Sequence, residues 1–208
     1  MKQLVFPGDK VADEPRRIPG CYVEDGKTYA ANVSLQSDDH IVPLKGYYVP
    51  KTGDDIIGIV EEERFSGYNL ALNSPYGASL SARDTRDELH LRDAVYAKIL
   101  AVNEVKEAVL VEPQKLAPGS MVAIDSVKVP RIIGRNGSML DTLSKFTGSR
   151  ITVGKNGIVH VEGGNADLAM KAVEKICRES HTSGLTERIT QMLEEQTRAK
   201  DGQGEHNG

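Results

Sequence analysis

At Pro118-Gly119 the hydrophobic pattern of this chain changes period. Before that point apolar residues come in short runs broken by glycine, proline and aspartate; after it they recur every three or four positions. Strand-rich and helix-rich parts therefore fold as separate units. The 208 residues, against about 150 per domain, admit one large domain or two to three small ones. Five per cent aromatics and no Trp favour small, turn-rich units. With 39% hydrophobic residues and 20 glycines the composition matches ordinary globular domains and excludes a largely disordered chain. The longest apolar runs, such as residues 108–111, are four or five residues long. A spanning helix needs about 20, so no transmembrane segment is expected. Pro7 breaks the opening before an apolar signal core forms, so a cytoplasmic protein is expected.

Cys21 and Cys177 belong to no C-x-x-C pair, which predicts two free thiols and neither a zinc ribbon nor a disulfide framework. The net charge of -4 argues against a general nucleic-acid binder, so any such site must be a local basic patch.

The pattern predicts a multi-domain α+β chain in four parts. Residues 1–50 form a small N-terminal β unit with strands at 21–23, 28–33 and 40–44, led by an extended arm suited to docking. Residues 53–116 carry five strands in about 60 residues: 55–62, an alternating segment with Tyr68, Leu70 and Leu72, then 78–82, 93–102 and 107–112. The polar insert 83–92 lies between the third and fourth, which is the plan of a Greek-key OB barrel. Residues 119–180 read as strand 121–124, a helical turn at 129–133, a helix, the strands 150–153 and 158–162, and a long helix. Ser138 is expected to cap the first of these helices with Asp141 near its start, and Gly148 to end it. Asn165 is expected to cap the second, whose apolar face is Leu168, Ala169, Ala172, Val173 and Ile176. Residues 181–208 are expected to form one more helix, with Leu185, Ile189, Met192 and Leu193 on one face, and a disordered tail.

Two G-x-x-G tetrapeptides fall in the third part. Gly154-Lys155-Asn156-Gly157 joins two strands, and its Asn-Gly signals a tight hairpin turn. Gly134-Arg135-Asn136-Gly137 follows Ile132-Ile133 and opens a helix, where backbone amides and the helix N-terminus together favour an anion. Glycine lets the loop approach a sugar-phosphate backbone closely. From 127 to 155 the basic residues are Lys128, Arg131, Arg135, Lys145, Arg150 and Lys155, against Asp141 alone.

Ile-Ile-Gly-x-x-Gly within a β-α-α-β-β-α order resembles a type I KH domain, whose loop clamps about four nucleotides of single strand. The resemblance implies RNA contacts at Gly134, Arg135, Asn136, Gly137, Arg131, Lys128 and Arg150. The segment from Gly53 to Pro113 resembles an S1-type OB barrel, which implies further RNA contacts at Arg64, Phe65, Tyr68, Arg83, His90 and Arg92. The order β unit, S1 barrel, single KH domain is similar to the RNA-binding cap subunit of the archaeal exosome, of the Rrp4 type. Polynucleotide phosphorylase instead places KH before S1 and adds catalytic domains, NusA carries two KH units, and the other archaeal cap type ends in a zinc ribbon.

The resemblance implies a non-catalytic subunit without cofactor or metal. Its partners would be single-stranded RNA and a hexameric ring of RNase PH-like subunits. Three caps would sit on that ring through their N-terminal regions and feed the RNA 3′ end inward for 3′-to-5′ degradation, with no membrane involved. A stand-alone S1/KH transcription or translation factor is the alternative. An independent nuclease is the remote one: Asp38-Asp39-His40 and Glu61-Glu62-Glu63 read as a solvated turn and a charged strand end, the five histidines are scattered, and no P-loop, nucleophile elbow or H-E-x-x-H occurs.

Overall fold

The computed structural model describes residues 2–16, 18, 20–37, 40–43, 47–180 and 182–204. Six short strands open the chain: β1 (Lys2–Val5), β2 (Lys10–Ala12), β3 (Cys21–Glu24), β4 (Lys27–Ala30), β5 (Ser34–Ser37) and β6 (His40–Pro43). They make two three-stranded sheets, ordered β1-β5-β6 and β2-β4-β3. The segment expected as an unpaired arm thus supplies a strand to each sheet. Its strands are three or four residues long, too short to show a period, and Val5 is held in place by burial rather than by pattern. The predicted strand at 28–33 ends at Ala30, and β5 was not foreseen. Asp38, Asp39 and Leu44 lie outside the described residues.

The barrel closes from β7 (Asp55–Arg64), β8 (Gly67–Ala71), β9 (Gly77–Ser81), β10 (Ala94–Val102) and β11 (Ala108–Lys115), in the order β10-β11-β9-β8-β7 with β7 pairing back to β10. Ile56, Val60, Leu70, Leu80, Val95, Ile99 and Leu110 fill its interior. Tyr48 joins this core: its hydroxyl donates to Asp54 Oδ2 (2.8 Å) and its carbonyl accepts from Ser74 Oγ (2.7 Å). Burial, with the Asp54 carboxylate beside it, pushes the Tyr48 hydroxyl far above the ordinary tyrosine range.

The third unit has β12 (Ser120–Ala123), a short α1 (Val129–Ile133), α2 (Ser138–Thr147), β13 (Arg150–Val153), β14 (Ile158–Glu162) and α3 (Ala166–Glu179), with the antiparallel sheet ordered β12-β14-β13. The predicted face of α3 is buried in full, and the Asn165 side chain accepts from Leu168 N–H (3.3 Å) as its cap. Gly148, left-handed at φ 64°, ends α2. Helix α4 (Leu185–Gly204) lays Leu185, Ile189 and Leu193 into the same core and runs further into the polar tail than expected; residues 205–208 lie outside the described part.

Barrel and third unit are joined rather than strung on a linker. Ile57 points out of the barrel beside Ala94 and packs with Ile158, which explains why β7 reads as apolar on both faces. The β13–β14 loop completes the joint. Asn156, 0% exposed, donates from Nδ2 to Ile57 O (2.7 Å) and Leu72 O (2.8 Å), and its Oδ1 accepts from Ile57 N–H (3.2 Å). Asn73 answers from the barrel, donating to Ile124 O (3.2 Å) and Asn156 O (3.1 Å). Lys155 N–H donates to Asp55 O (2.9 Å), and its amine pairs with Asp54 (2.9 Å). A Cβ on Gly154 would lie 2.6 Å from Ile57 N, so glycine there admits the barrel backbone. The loop does turn a hairpin, but Gly157, not Asn156, takes the positive φ (85°), so it is not the two-residue turn that Asn-Gly signals.

Candidate nucleic-acid interface

Helix α1 stops at Gly134, at φ 74° and ψ 180°. A Cβ there would lie 2.7 Å from both the nitrogen and the Cβ of Met139, so no other residue fits without movement. Asn136 (φ 53°) and Gly137 (φ 84°) are both left-handed and swing the chain into α2. This geometry overturns the expected cap. Ser138 is already helical (φ -57°, ψ -35°), so Gly137 occupies the cap position and no side chain there accepts from the helix. Ser138 N–H is taken up by Arg135 O, and no side chain caps the rest of the first turn of α2, at the end of the helix where the dipole is positive. Arg135 and Asn136 are exposed at the loop tip.

Ionic partners sort the six basic residues. Lys128 is paired with Asp125 (3.2 Å) and Lys155 with Asp54 (2.9 Å), so two predicted cations are internally compensated. Arg131, Arg135, Lys145 and Arg150 are exposed, and no ion pair within 4.0 Å holds them among the described residues. Asp141 is the counterweight: its Oδ2 would lie 3.9 Å from a Cβ at Gly137. Ile133 is half-exposed outside the packed core, an apolar group next to the donor-rich loop that the sequence reading did not single out. The signal was there: neighbouring side chains on a helix are about 100° apart, and Ile132 takes the core.

In the barrel, Phe65 is 108% exposed at the tip between β7 and β8, a ring open for stacking. Tyr68 is not its equivalent: it packs half-buried on the barrel core, with its hydroxyl facing Leu89 N–H (3.5 Å). Arg64 is paired with Glu62 (2.8 Å), which also accepts from Asn69 Nδ2 (2.9 Å). Arg83 and Arg92 are exposed on the insert, and His90 stands 3.9 Å from Glu63. Glu63 also accepts from Leu91 N–H (3.1 Å), which ties the hairpin tip to the insert. Lys115 clasps the insert through Asp93 (2.6 Å) and Glu88 O (3.2 Å), and its hydrogen bond holds the Asp93 carboxyl below the usual range. The structure thus gathers Arg64, Phe65 and His90 at one corner but surrounds them with carboxylates. The side chain of His40 and all of His181 and His206 lie outside the described residues, among which no three His, Cys, Asp or Glu gather as metal ligands.

Residues 120–178 match the KH domain family. The chain is 37% identical to exosome complex component Rrp4 of Thermoplasma acidophilum, over 97% of this chain and 94% of that one. It is 35% identical to the protein of the same name from Pyrococcus furiosus, over 92% and 83%. A crystal structure assigned as an exosome complex RNA-binding protein superposes with a TM-score of 0.68 at 34% identity, covering 74% of this chain and 99% of that one.

Proposed function

Since this chain belongs to the Rrp4 family of exosome components, we propose that it is a non-catalytic subunit that captures single-stranded RNA and hands its 3′ end to a degrading partner. One observation carries the capture step: a start of α2 with no side-chain cap, beneath a loop shaped by glycine and rimmed by arginines that have no ion pair among the described residues. A backbone phosphate seated there accepts from the amides that no side chain caps, while Arg131, Arg135 and Arg150 neutralise the neighbouring phosphates and Ile133 offers an apolar seat for a base. Phe65 adds a stacking platform, with Arg83, His90 and Arg92 beside the same barrel face. Arg64 and Tyr68 are engaged within the barrel, by Glu62 and by the barrel core.

The N-terminal unit exposes Leu4, Phe6, Tyr22 and Val23, apolar surface of the kind a docking face needs. In our reading it seats three copies on a hexameric ring of RNase PH-like subunits in the cytoplasm. The test is to isolate the tagged protein from its source cells after nuclease treatment and identify its companions by mass spectrometry. RNase PH-like subunits in near-equal amount are expected; their absence with RNA binding intact would move the reading to a stand-alone RNA-binding factor.

A further inference from the structure

A cavity of about 420 Å³ opens where barrel and KH unit meet, lined by Tyr47, Tyr48, Asn73, Asp125, Lys128 and Cys177 among others. We infer that it is a subsite for one unstacked nucleotide of the captured strand, a contact separate from the Gly134–Gly137 loop. The inference rests on the RNA-binding reading above and extends it.

Three features converge. Tyr47 is 82% exposed, an amphipathic ring held in water with no packing duty of its own. Its backbone is nevertheless fixed, because the next residue, Tyr48, is buried and bonded to Asp54 and Ser74. A ring presented from an anchored backbone costs little entropy to use, which suits base stacking.

The polar lining carries complementary chemistry. Asp125 presents a carboxylate that accepts from base N–H groups, and Lys128, 3.2 Å from it, presents a cation that a ribose or phosphate oxygen can share. The carboxylate repels phosphate, so the base faces Asp125 and the backbone faces Lys128. Bases that offer donors, such as guanine, adenine or cytosine, fit this arrangement better than uracil, whose Watson–Crick edge has a single N–H between two acceptors.

Finally, the walls do not drift apart. Asn73, which lines the cavity, also binds Ile124 O and Asn156 O across the joint, so the pocket is preformed. Its volume falls in the range of about 300–1,000 Å³ usual for small-ligand sites.

The experiment uses the full chain and fluorescence anisotropy with two probes, a four-nucleotide and a twelve-nucleotide single-stranded RNA of mixed sequence. Tyr47→Ala is expected to weaken the twelve-mer at least fivefold, in line with the loss of one stacked base. It should leave the four-mer, which the loop alone can hold, unchanged. Tyr47→Phe should restore the twelve-mer, and 6-thioguanosine placed along the twelve-mer should crosslink to the peptide containing Tyr47. Wild-type affinity for the twelve-mer in a folded Tyr47→Ala protein would overturn the subsite, as would weakened binding to partner subunits with RNA affinity intact, which would make Tyr47 a protein contact. If the wild type binds neither RNA, the capture reading itself fails; if an Arg135→Asp variant loses RNA while Tyr47→Ala does not, only the subsite fails.

Discussion

The two G-x-x-G loops differ by one basic residue for another, Gly-Arg-Asn-Gly against Gly-Lys-Asn-Gly, yet they do opposite work. In the first, Asn136 is exposed and left-handed, and the loop leaves the start of α2 without a side-chain cap. In the second, Asn156 is wholly buried and spends its amide on the barrel backbone, and Lys155 is neutralised by Asp54. The difference lies in what the loop abuts. Ahead of a helix, the loop's polar groups face water and can take a ligand; between two strands that reach the barrel, they are consumed by the fold. A tetrapeptide therefore reports close backbone approach, and its surroundings decide whether the approaching group is a phosphate or another part of the chain.

The strongest way to break this contrast is to place the same substitution in both loops. Asn156→Asp would remove two donors and set a carboxylate against Ile57 O and Leu72 O, with a cost of about 3 kcal/mol or more. Asn136→Asp, in water, should cost no more than about 0.5 kcal/mol. Denaturant unfolding of the two variants measures both; equal losses would mean that the buried amide does not hold the units together. For RNA the ranking inverts. Arg135→Asp with Asn136→Asp should weaken single-stranded RNA by about tenfold or more and flatten the salt dependence by about 0.7 in slope per lost phosphate contact. Unchanged affinity in the folded double variant would remove the loop from the binding site.

A smaller effect sharpens the electrostatic side of the contrast. Asp141 sits in the first turn of α2, where its charge suits the helix dipole but competes with an incoming phosphate. Asp141→Asn should tighten RNA two- to fivefold, as expected for about 0.5–1 kcal/mol at a helix start. It should also lower stability by a few tenths of a kcal/mol. Anisotropy titrations at two salt concentrations would show the gain shrinking as salt rises; a gain independent of salt would point to a change of loop shape instead.

How far the sequence reaches follows the same division between local and distant causes. The five barrel strands, the α3 face and the glycine loop that opens α2 were legible because each is a local pattern: alternation, helical spacing, glycines before a helix. The joint was not, because Asn156 meets Ile57 across 99 positions and the Asn-Gly pair already has a sufficient local explanation. Ser138 misled for a related reason. Its identity suits a cap, but two left-handed residues before it start the helix one position early, and backbone geometry of that kind is invisible in composition. Phe65 and Tyr68 looked alike as aromatics near one hairpin; only burial separates the open ring from the core ring.

The smallest expected effect compares the basic residues at the second position of each loop. Lys155 pairs with Asp54, and that hydrogen bond holds its amine above the usual lysine range; Arg135 has no ionic partner among the described residues. The Lys155 side chain is 55% exposed, so solvent screening limits the pair to about 0.2–1 kcal/mol. Because the folded state favours the protonated amine, the contribution is whole below the unfolded pKa of about 10.4 and is lost as the pH rises through the higher folded value. Lys155→Met should therefore be slightly less stable than wild type at neutral pH, and the two unfolding curves should converge in strong alkali, with RNA affinity unaffected throughout. Arg135→Met should behave the other way round, keeping its stability at every pH while binding RNA more weakly. A stability loss in both, or an RNA loss in both, would show that the joint and the Gly134–Gly137 loop are energetically one site.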